Sequence, residues 1–207
     1  MKTHAKTLLT ALATCTAVAA GSANAATIAV ANASFESGTT NWTNGGSGGY
    51  NTRSTVSGIN PTDGSLQMWV NNGALIYQDT GEVIAAGMTY ELTIDWNPDQ
   101  APFPNQETVV IRLYGSAAGF GTALGTAEAT LLGPADNSGD NSIWTTSSVS
   151  FTATGAEAGQ TLGVAFGVTG GTQSEWDNVR LTAVPEPGSL ALLGLGGLLV
   201  VRRRRSA

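Results

Sequence analysis

The sequence predicts an all-β protein, a two-sheet antiparallel sandwich, on three observations. Apolar residues recur at a period of two along most of the chain, which is the spacing of a strand with one buried face. Glycine supplies 27 of the 207 residues, about twice the usual share of roughly 7%. Charged residues make up 12% of the chain, about half of the usual ~25%, and outside the two ends no window of useful length has helical period.

The strands follow in order. Thr27–Ala31 opens the body, and Leu66–Val70 and Leu75–Gln78 come after a long polar stretch. Met88-Thr-Tyr90-Glu-Leu92-Thr-Ile94-Asp-Trp96 alternates without a fault for nine residues. In Thr108–Tyr114, Val109, Ile111 and Leu113 share one side and Arg112 and Tyr114 the other. Val149, Phe151 and Ala153 alternate with Ser148, Ser150, Thr152 and Thr154, and Leu162, Val164, Phe166 and Val168 alternate with small residues that include Gly163 and Gly167. Trp176–Ala183 closes the series. Clusters rich in Gly, Asn, Asp and Pro separate these runs at Asn44–Gly49, Asn60–Gly64, Asn97–Asn105 and Gly133–Asn141. Eight or nine short strands of this kind, with no internal repeat, fit a sandwich.

The charge distribution excludes several function classes. Six of the nine basic residues sit at the ends, as Lys2, Lys6 and Arg202 to Arg205. Between Ala26 and Val184 there are 14 acids against Arg53, Arg112 and Arg180, a net charge of −11, and no Lys, His or Cys. A nucleic-acid partner needs a basic footprint on the protein, and none is present. Ser-His and Cys-His nucleophilic sites, Schiff-base lysines and metal sites built on His or Cys are excluded from the body because their residues are missing. Carboxylate chemistry and oxygen-ligated cations remain.

The two ends read as addresses. Residues 1–25 have the form of a secretory signal: Lys2 and Lys6 in front, a moderately apolar stretch from Thr7 to Ala20, and Ala23-Asn24-Ala25 as a small-x-small cleavage site. The competing reading is a short buried helix. The chain's one cysteine, Cys15, falls inside this segment, and Leu12-Ala13-Thr14-Cys15 is a poor lipoprotein box because Thr14 precedes the cysteine. The last 24 residues, 184–207, read VPEPGSLALLGLGGLLVVRRRRSA. They hold Pro185-Glu186-Pro187, an apolar helical run at 190–201, and then Arg202, Arg203, Arg204 and Arg205. At ~1.5 Å per residue that run spans about 18 Å as a helix, short of the ~30 Å hydrocarbon core, so its membrane contact is expected to be transient. The arginines would stay on the cytoplasmic side.

This tail resembles the PEP-CTERM sorting signal of Gram-negative bacteria, also known under an ice-binding-protein C-terminal label. The resemblance implies an exosortase as processing partner, a membrane-embedded cysteine transpeptidase that would cut near Pro185–Pro187. The competing reading is a plain tail anchor with a proline hinge. The ice label describes the tail alone, since Thr145-Thr146-Ser147 and Thr152-Ala153-Thr154 form no regular ladder.

The body, residues 26–183, carries a second resemblance. It opens with Asn32-Ala33-Ser34-Phe35-Glu36-Ser37-Gly38 and Trp42, passes through Asp63-Gly64-Ser65-Leu66 and Ala86-Gly87-Met88-Thr89-Tyr90-Glu91-Leu92, and closes with Trp176-Asp177-Asn178-Val179-Arg180-Leu181. This order is similar to the jelly-roll carbohydrate-binding modules of the galactose-binding-like fold. The resemblance implies a structural calcium held by Glu36, Asp63 and Asp177, a set of hard oxygens suited to that ion. On the residues alone, Glu36 and Asp177 read equally as solvated turn residues or partners of Arg180.

Two further constellations bear on chemistry. In Leu66–Asn71 the alternation sends Leu66, Met68 and Val70 to the core and Trp69 outward, flanked by Gln67 and Asn71. An outward aromatic ring stacks on a sugar face while amides bind hydroxyls. Arg112 and Tyr114 join this platform if the two strands share a sheet. The competing reading has Trp69 covering a sheet under a loop and Tyr114 packed at a strand end. Trp96, Trp144 and Trp176 are expected in the core, with Trp42 as a packing tryptophan. Glycoside hydrolysis requires two carboxyl groups about 5–5.5 Å or 6.5–9.5 Å apart. Glu91 and Asp95 on one strand lie about 13 Å apart, whereas Glu91 with Glu107 depends on register. The expectation is therefore a non-enzymatic, exported, exosortase-processed surface or matrix protein that binds extracellular or envelope polysaccharide. The alternative is a purely structural matrix protein without a discrete ligand.

Overall fold

The computed structural model describes residues 24–98, 106–133 and 143–186. Among them are eleven strands: β1 Ala26–Ile28, β2 Thr43–Asn44, β3 Tyr50–Arg53, β4 Gln67–Asn71, β5 Leu75–Val83, β6 Met88–Asn97, β7 Thr108–Gly115, β8 Glu128–Leu132, β9 Thr145–Thr152, β10 Thr161–Gly170 and β11 Gln173–Pro185. No described residue is helical. The helical segments expected at the two termini, with Pro187, the 190–201 run and Arg202 to Arg205, lie outside the described residues.

The strands form two antiparallel sheets, as the alternation predicts. Sheet A runs β3-β4-β11-β6-β9, with β1 also paired to β11, and sheet B runs β2-β5-β10-β7-β8. The first and last strands pair, Ala26 opposite Ala183, and this long-range closure fits a jelly roll. Sheet A contributes Met68, Val70, Leu92, Ile94, Trp176 and Leu181 to the interior, and sheet B contributes Ile76, Ile111, Leu113, Val164, Phe166 and Val168, all essentially buried.

An aromatic chain joins the layers. Trp176 of sheet A meets Phe166 of sheet B at a ring separation of 4.8 Å, and Phe166 meets Trp42 at 5.2 Å. Phe35 packs on Trp42 at 5.5 Å. The segment that delivers Phe35 and Trp42 is tied by Asn32. Its side-chain amide donates to the carbonyls of Gly38 and Thr40, and its backbone carbonyl accepts the Trp42 indole N–H at 3.0 Å. Phe35 itself sits at φ 59, a conformation unfavourable for a bulky residue. Its complete burial in the core accounts for the tolerance.

Three strands were not among those the period-two pattern marks. β2, β3 and β8 lie at the sheet edges and keep polar residues on an open side; β8 is alternately exposed and half-buried throughout. Trp144 departs from the sequence reading. It is half-buried rather than in the core, with its indole N–H donating to the carbonyl of Asn60 at 2.8 Å.

Candidate functional site

The outer face of sheet A carries a tryptophan set in a polar lattice. Because Met68 and Val70 point into the core, Gln67, Trp69 and Asn71 share the opposite face. Register then builds a row across four strands, Asn51–Trp69–Glu175–Asn97, with Arg53 opposite Gln67 and Gln173 opposite Asn71. Glu175 is fully buried. The Arg53 guanidinium forms an ion pair with one of its oxygens, and the Gln67 amide donates to the other at 3.1 Å. The Arg53 guanidinium also donates to the Gln173 side-chain oxygen at 2.9 Å, and the Gln173 amide donates to that of Asn71 at 2.7 Å. Trp69 and Asn71 remain half-buried beside exposed Asn51.

The predicted platform is thus partly assembled and partly not. Trp69 and Asn71 face outward as expected. Gln67 is fully buried, because it supports Glu175 instead of meeting solvent. Arg112 and Tyr114 do not join the group, since β4 belongs to sheet A and β7 to sheet B. Tyr114 is 2% exposed, lies flat over Gly163, and donates its hydroxyl to Asp79 at 2.8 Å. Burial first, then the bond to Asp79 and its charge, raise the Tyr114 pKa well above the ordinary phenol value. Arg112 binds Glu128 at 2.6 Å and the carbonyl of Phe120 at 2.8 Å.

Glu36 and Asp177 each bond to the loop that carries Asp63, at different residues of it. Glu36 accepts the Ser65 hydroxyl at 2.7 Å and the backbone N–H groups of Leu66 and Ser65 at 2.7 and 2.8 Å, and these bonds lower its pKa. Asp177 accepts the backbone N–H groups of Thr62, Asp63 and Asn178 at 2.6, 2.8 and 2.7 Å. Burial outweighs those bonds and raises its pKa to about 6. Asp63 contributes its N–H while its side chain is exposed. Carboxylates surrounded by N–H donors do not form the cage of 6–8 oxygens that calcium requires. Among the described residues no group of three or more His, Cys, Asp or Glu could hold a metal ion. Arg180 pairs with Asp95 at 3.0 Å rather than with Asp177. The reason is a bulge: Asn178 at φ 52 breaks the register between Asp177 and Arg180 and turns the two side chains apart.

The sequence reading passed over Arg53, Gln173 and Glu175. A signal was present, since Gln173, Glu175 and Asp177 alternate with Ser174 and Trp176 and so share a face. In the tail, Pro185 ends β11 opposite Met88, and the N–H of Glu186 donates to the carbonyl of Gly87 at 2.9 Å.

A family model described as HpiC1-like, HpiC1 cyclase, matches residues 26–182, and one for the PEP-CTERM protein-sorting motif matches residues 183–205. Among solved structures the fold is similar to that of a cyclase from Fischerella sp. TAU, at 20% identity and TM-score 0.62 over 79% of this chain and 99% of that one. A cyclase from the same organism in complex with 4-(1H-indol-3-yl)butan-2-one gives 22% identity and TM-score 0.59 over 78% and 98% of the two chains. The CBM22-1 xylan-binding domain of Paenibacillus barcinonensis Xyn10C gives 14% identity and TM-score 0.50 over 74% and 92%. At these identities the likeness is one of fold. In the comparison with curated proteins, no sequence matches.

Proposed function

The chain belongs to the HpiC1-like cyclase family over its sandwich and carries a PEP-CTERM sorting motif behind it, and from that premise we propose an exported, exosortase-processed protein of the cell surface or extracellular matrix that binds polysaccharide without turning it over. The row Asn51–Trp69–Glu175–Asn97 carries this reading. Trp69 offers an aromatic surface for a sugar ring, and Asn51 and Asn71 flank it with amides for hydroxyls. Gln67, Arg53 and Glu175 act beneath it as positioning residues, locking one another and leaving Trp69 few alternative rotamers. One solved structure of this fold is a xylan-binding domain, and plant-type or bacterial polysaccharides of similar chain form are the first ones to try.

Affinity electrophoresis against a polysaccharide panel that includes the host's own exopolysaccharide tests the reading. Retardation of the wild type, lost in Trp69→Ala, is expected. Equal mobility of both proteins in every gel would replace it with the purely structural matrix role. Intact-mass measurement of the protein from its host tests the processing step. A species starting at Ala26 and ending near Pro185–Pro187 is expected, and a mass that retains Arg202 to Arg205 would overturn exosortase cleavage.

The family match favours a second reading, in which the same face binds a small aromatic molecule and acts on it. Both oxygens of Glu175 are engaged, by Arg53 and Gln67, which suits an orienting carboxylate better than a proton donor. Titration of 4-(1H-indol-3-yl)butan-2-one, the compound bound to a related cyclase, discriminates. Quenching of tryptophan fluorescence that disappears in Trp69→Ala would support the cyclase reading.

A further inference from the structure

A cleft of about 480 Å³ opens on the other side of the sandwich, at the margin of sheet B where β5 runs beside β2 and the end of β1. Its lining includes Asn41, Thr43, Tyr77, Gln78, Asp79 and Thr80. The volume falls within the ~300–1,000 Å³ of small-molecule sites. The walls are built in advance of any ligand. Gln78, 6% exposed, accepts the backbone N–H of Ala31 at 2.8 Å and donates to the carbonyls of Ala31 and Asn41 at 2.9 and 3.1 Å, which braces the cleft from below. The Tyr77 ring is held in a parallel stack with Phe120, 4.1 Å apart and 8° from coplanar, and edge-on to Tyr114 at 6.2 Å.

Asp79 is the group that points to a ligand. It is exposed in the cleft wall, and one of its oxygens accepts the hydroxyl of Tyr114, a residue 2% exposed. A buried tyrosine thereby fixes the orientation of a solvent-facing carboxylate and leaves its second oxygen as an acceptor. Thr80 is committed, since its hydroxyl donates to the carbonyl of Leu162 at 2.8 Å. Asp79, the amide of Asn41 and the hydroxyl of Thr43 thus make up the polar set, next to the aromatic ring of Tyr77. No Lys or Arg lines the cleft, so anionic ligands are disfavoured. A fixed carboxylate with neighbouring amide and hydroxyl groups beside an aromatic ring is the chemistry that takes a pair of adjacent hydroxyls on a neutral sugar.

We propose that this cleft is a second saccharide site that binds one neutral sugar unit. It does not depend on the Trp69 face, which belongs to the opposite sheet. With both sites filled, a single domain would bridge two polysaccharide chains and gain avidity from the pairing.

The test is NMR of the isotope-labelled processed protein titrated with the methyl glycosides of glucose, galactose, mannose, xylose and arabinose. At least one glycoside is expected to shift the backbone signals of Thr43, Tyr77 and Asp79, and to do so equally in Trp69→Ala. Asp79→Asn keeps an oxygen for the Tyr114 hydroxyl, so the fold persists, while affinity should fall about tenfold with the loss of a charged acceptor. The proposal is overturned if none of the five glycosides moves those signals, or if Asp79→Asn and Tyr77→Ala titrate like the wild type. Loss of polysaccharide retardation in Trp69→Ala is a separate result and reports only on sheet A.

Discussion

The two outer faces of the sandwich solve the same problem in opposite ways. On sheet A, long polar side chains interlock: Arg53, Gln67, Gln173 and Glu175 bond to one another across three strands beside Trp69. On sheet B, the central strand presents Gly163, Ala165 and Gly167, and neighbouring groups press close on the two glycines, with the backbone of Ala74 and Leu75 against Gly167. Tyr114 lies on Gly163, and Phe120 reaches back from the β7–β8 connection to stack on Tyr77. One face is fixed by electrostatics and hydrogen bonds, the other by close steric fit. They should therefore fail under different perturbations.

The largest effect is expected on the steric face. A Cβ at Gly163 would lie 2.1 Å from the Tyr114 ring, well inside any tolerable contact, and the ring has no room to move without losing Asp79. Gly163→Val should cost about 3 kcal/mol, a fall in Tm of roughly 6–12 °C. It should also release Tyr77 from the edge contact with Tyr114, detectable by near-UV circular dichroism. A Tm within a degree or so of wild type would mean that sheet B is not held by this contact.

On sheet A, removing Arg53 leaves a buried carboxylate without its cationic partner. Arg53→Leu should lower stability by about 2–3 kcal/mol, less than for a fully buried pair because the guanidinium is 26% exposed. High salt should weaken the wild type only slightly, as the partner carboxylate is buried. If Arg53→Leu abolished polysaccharide retardation yet left Tm unchanged, Arg53 would belong to the binding surface itself rather than to its support.

The contrast between the faces also explains what could be read from the sequence. Met88–Trp96 is legible because every second residue of β6 enters the core until the strand's polar end. The same holds for β7 and β10, and for β11 on either side of its bulge at Asn178. Period two also identified Trp69 as outward, correctly, because Met68 and Val70 are its immediate neighbours. The fate of Gln67 was not legible, since the groups that bury it, Arg53 and Glu175, arrive from 14 residues upstream and from the last strand of the sheet. The grouping of Trp69 with Arg112 and Tyr114 required β4 and β7 to share a sheet. Strand adjacency in a jelly roll is set by long-range closure and leaves no mark on local pattern. Tyr114 beside Gly163 is a contact of the same kind, between residues that no spacing rule connects.

The smallest effect sharpens the comparison within sheet A, where Asp95 and Asp177 stand opposite each other in register and both accept the Thr62 hydroxyl, at 3.1 and 3.2 Å. Their responses to pH have opposite signs. Burial pushes Asp95 up, but hydrogen bonds from Arg180, Thr146 and Asn178, together with the charge of Arg180, hold it below the ordinary value. It therefore contributes stability above the ordinary carboxylate range and loses it as pH falls further. Asp177 is raised to about 6 by burial. Its contribution is complete below the unfolded value of about 3.9 and is lost as pH rises through about 6. Asp177 takes up a proton on folding between about pH 4 and pH 6, so its contribution to Tm should decline as pH rises across that window. Asp177→Asn should flatten the decline whatever its effect on absolute stability, and Asp95→Asn should leave it in place while reducing the loss below pH 4, to which Glu36 and Glu157 also contribute. Calorimetric melts at half-unit pH steps resolve the two limbs. Repeating them with calcium and with a chelator bears on the loop from Thr62 to Leu66: identical profiles are expected from carboxylates facing N–H donors, and a calcium-dependent rise near pH 6 would require that loop to turn its carbonyls inward.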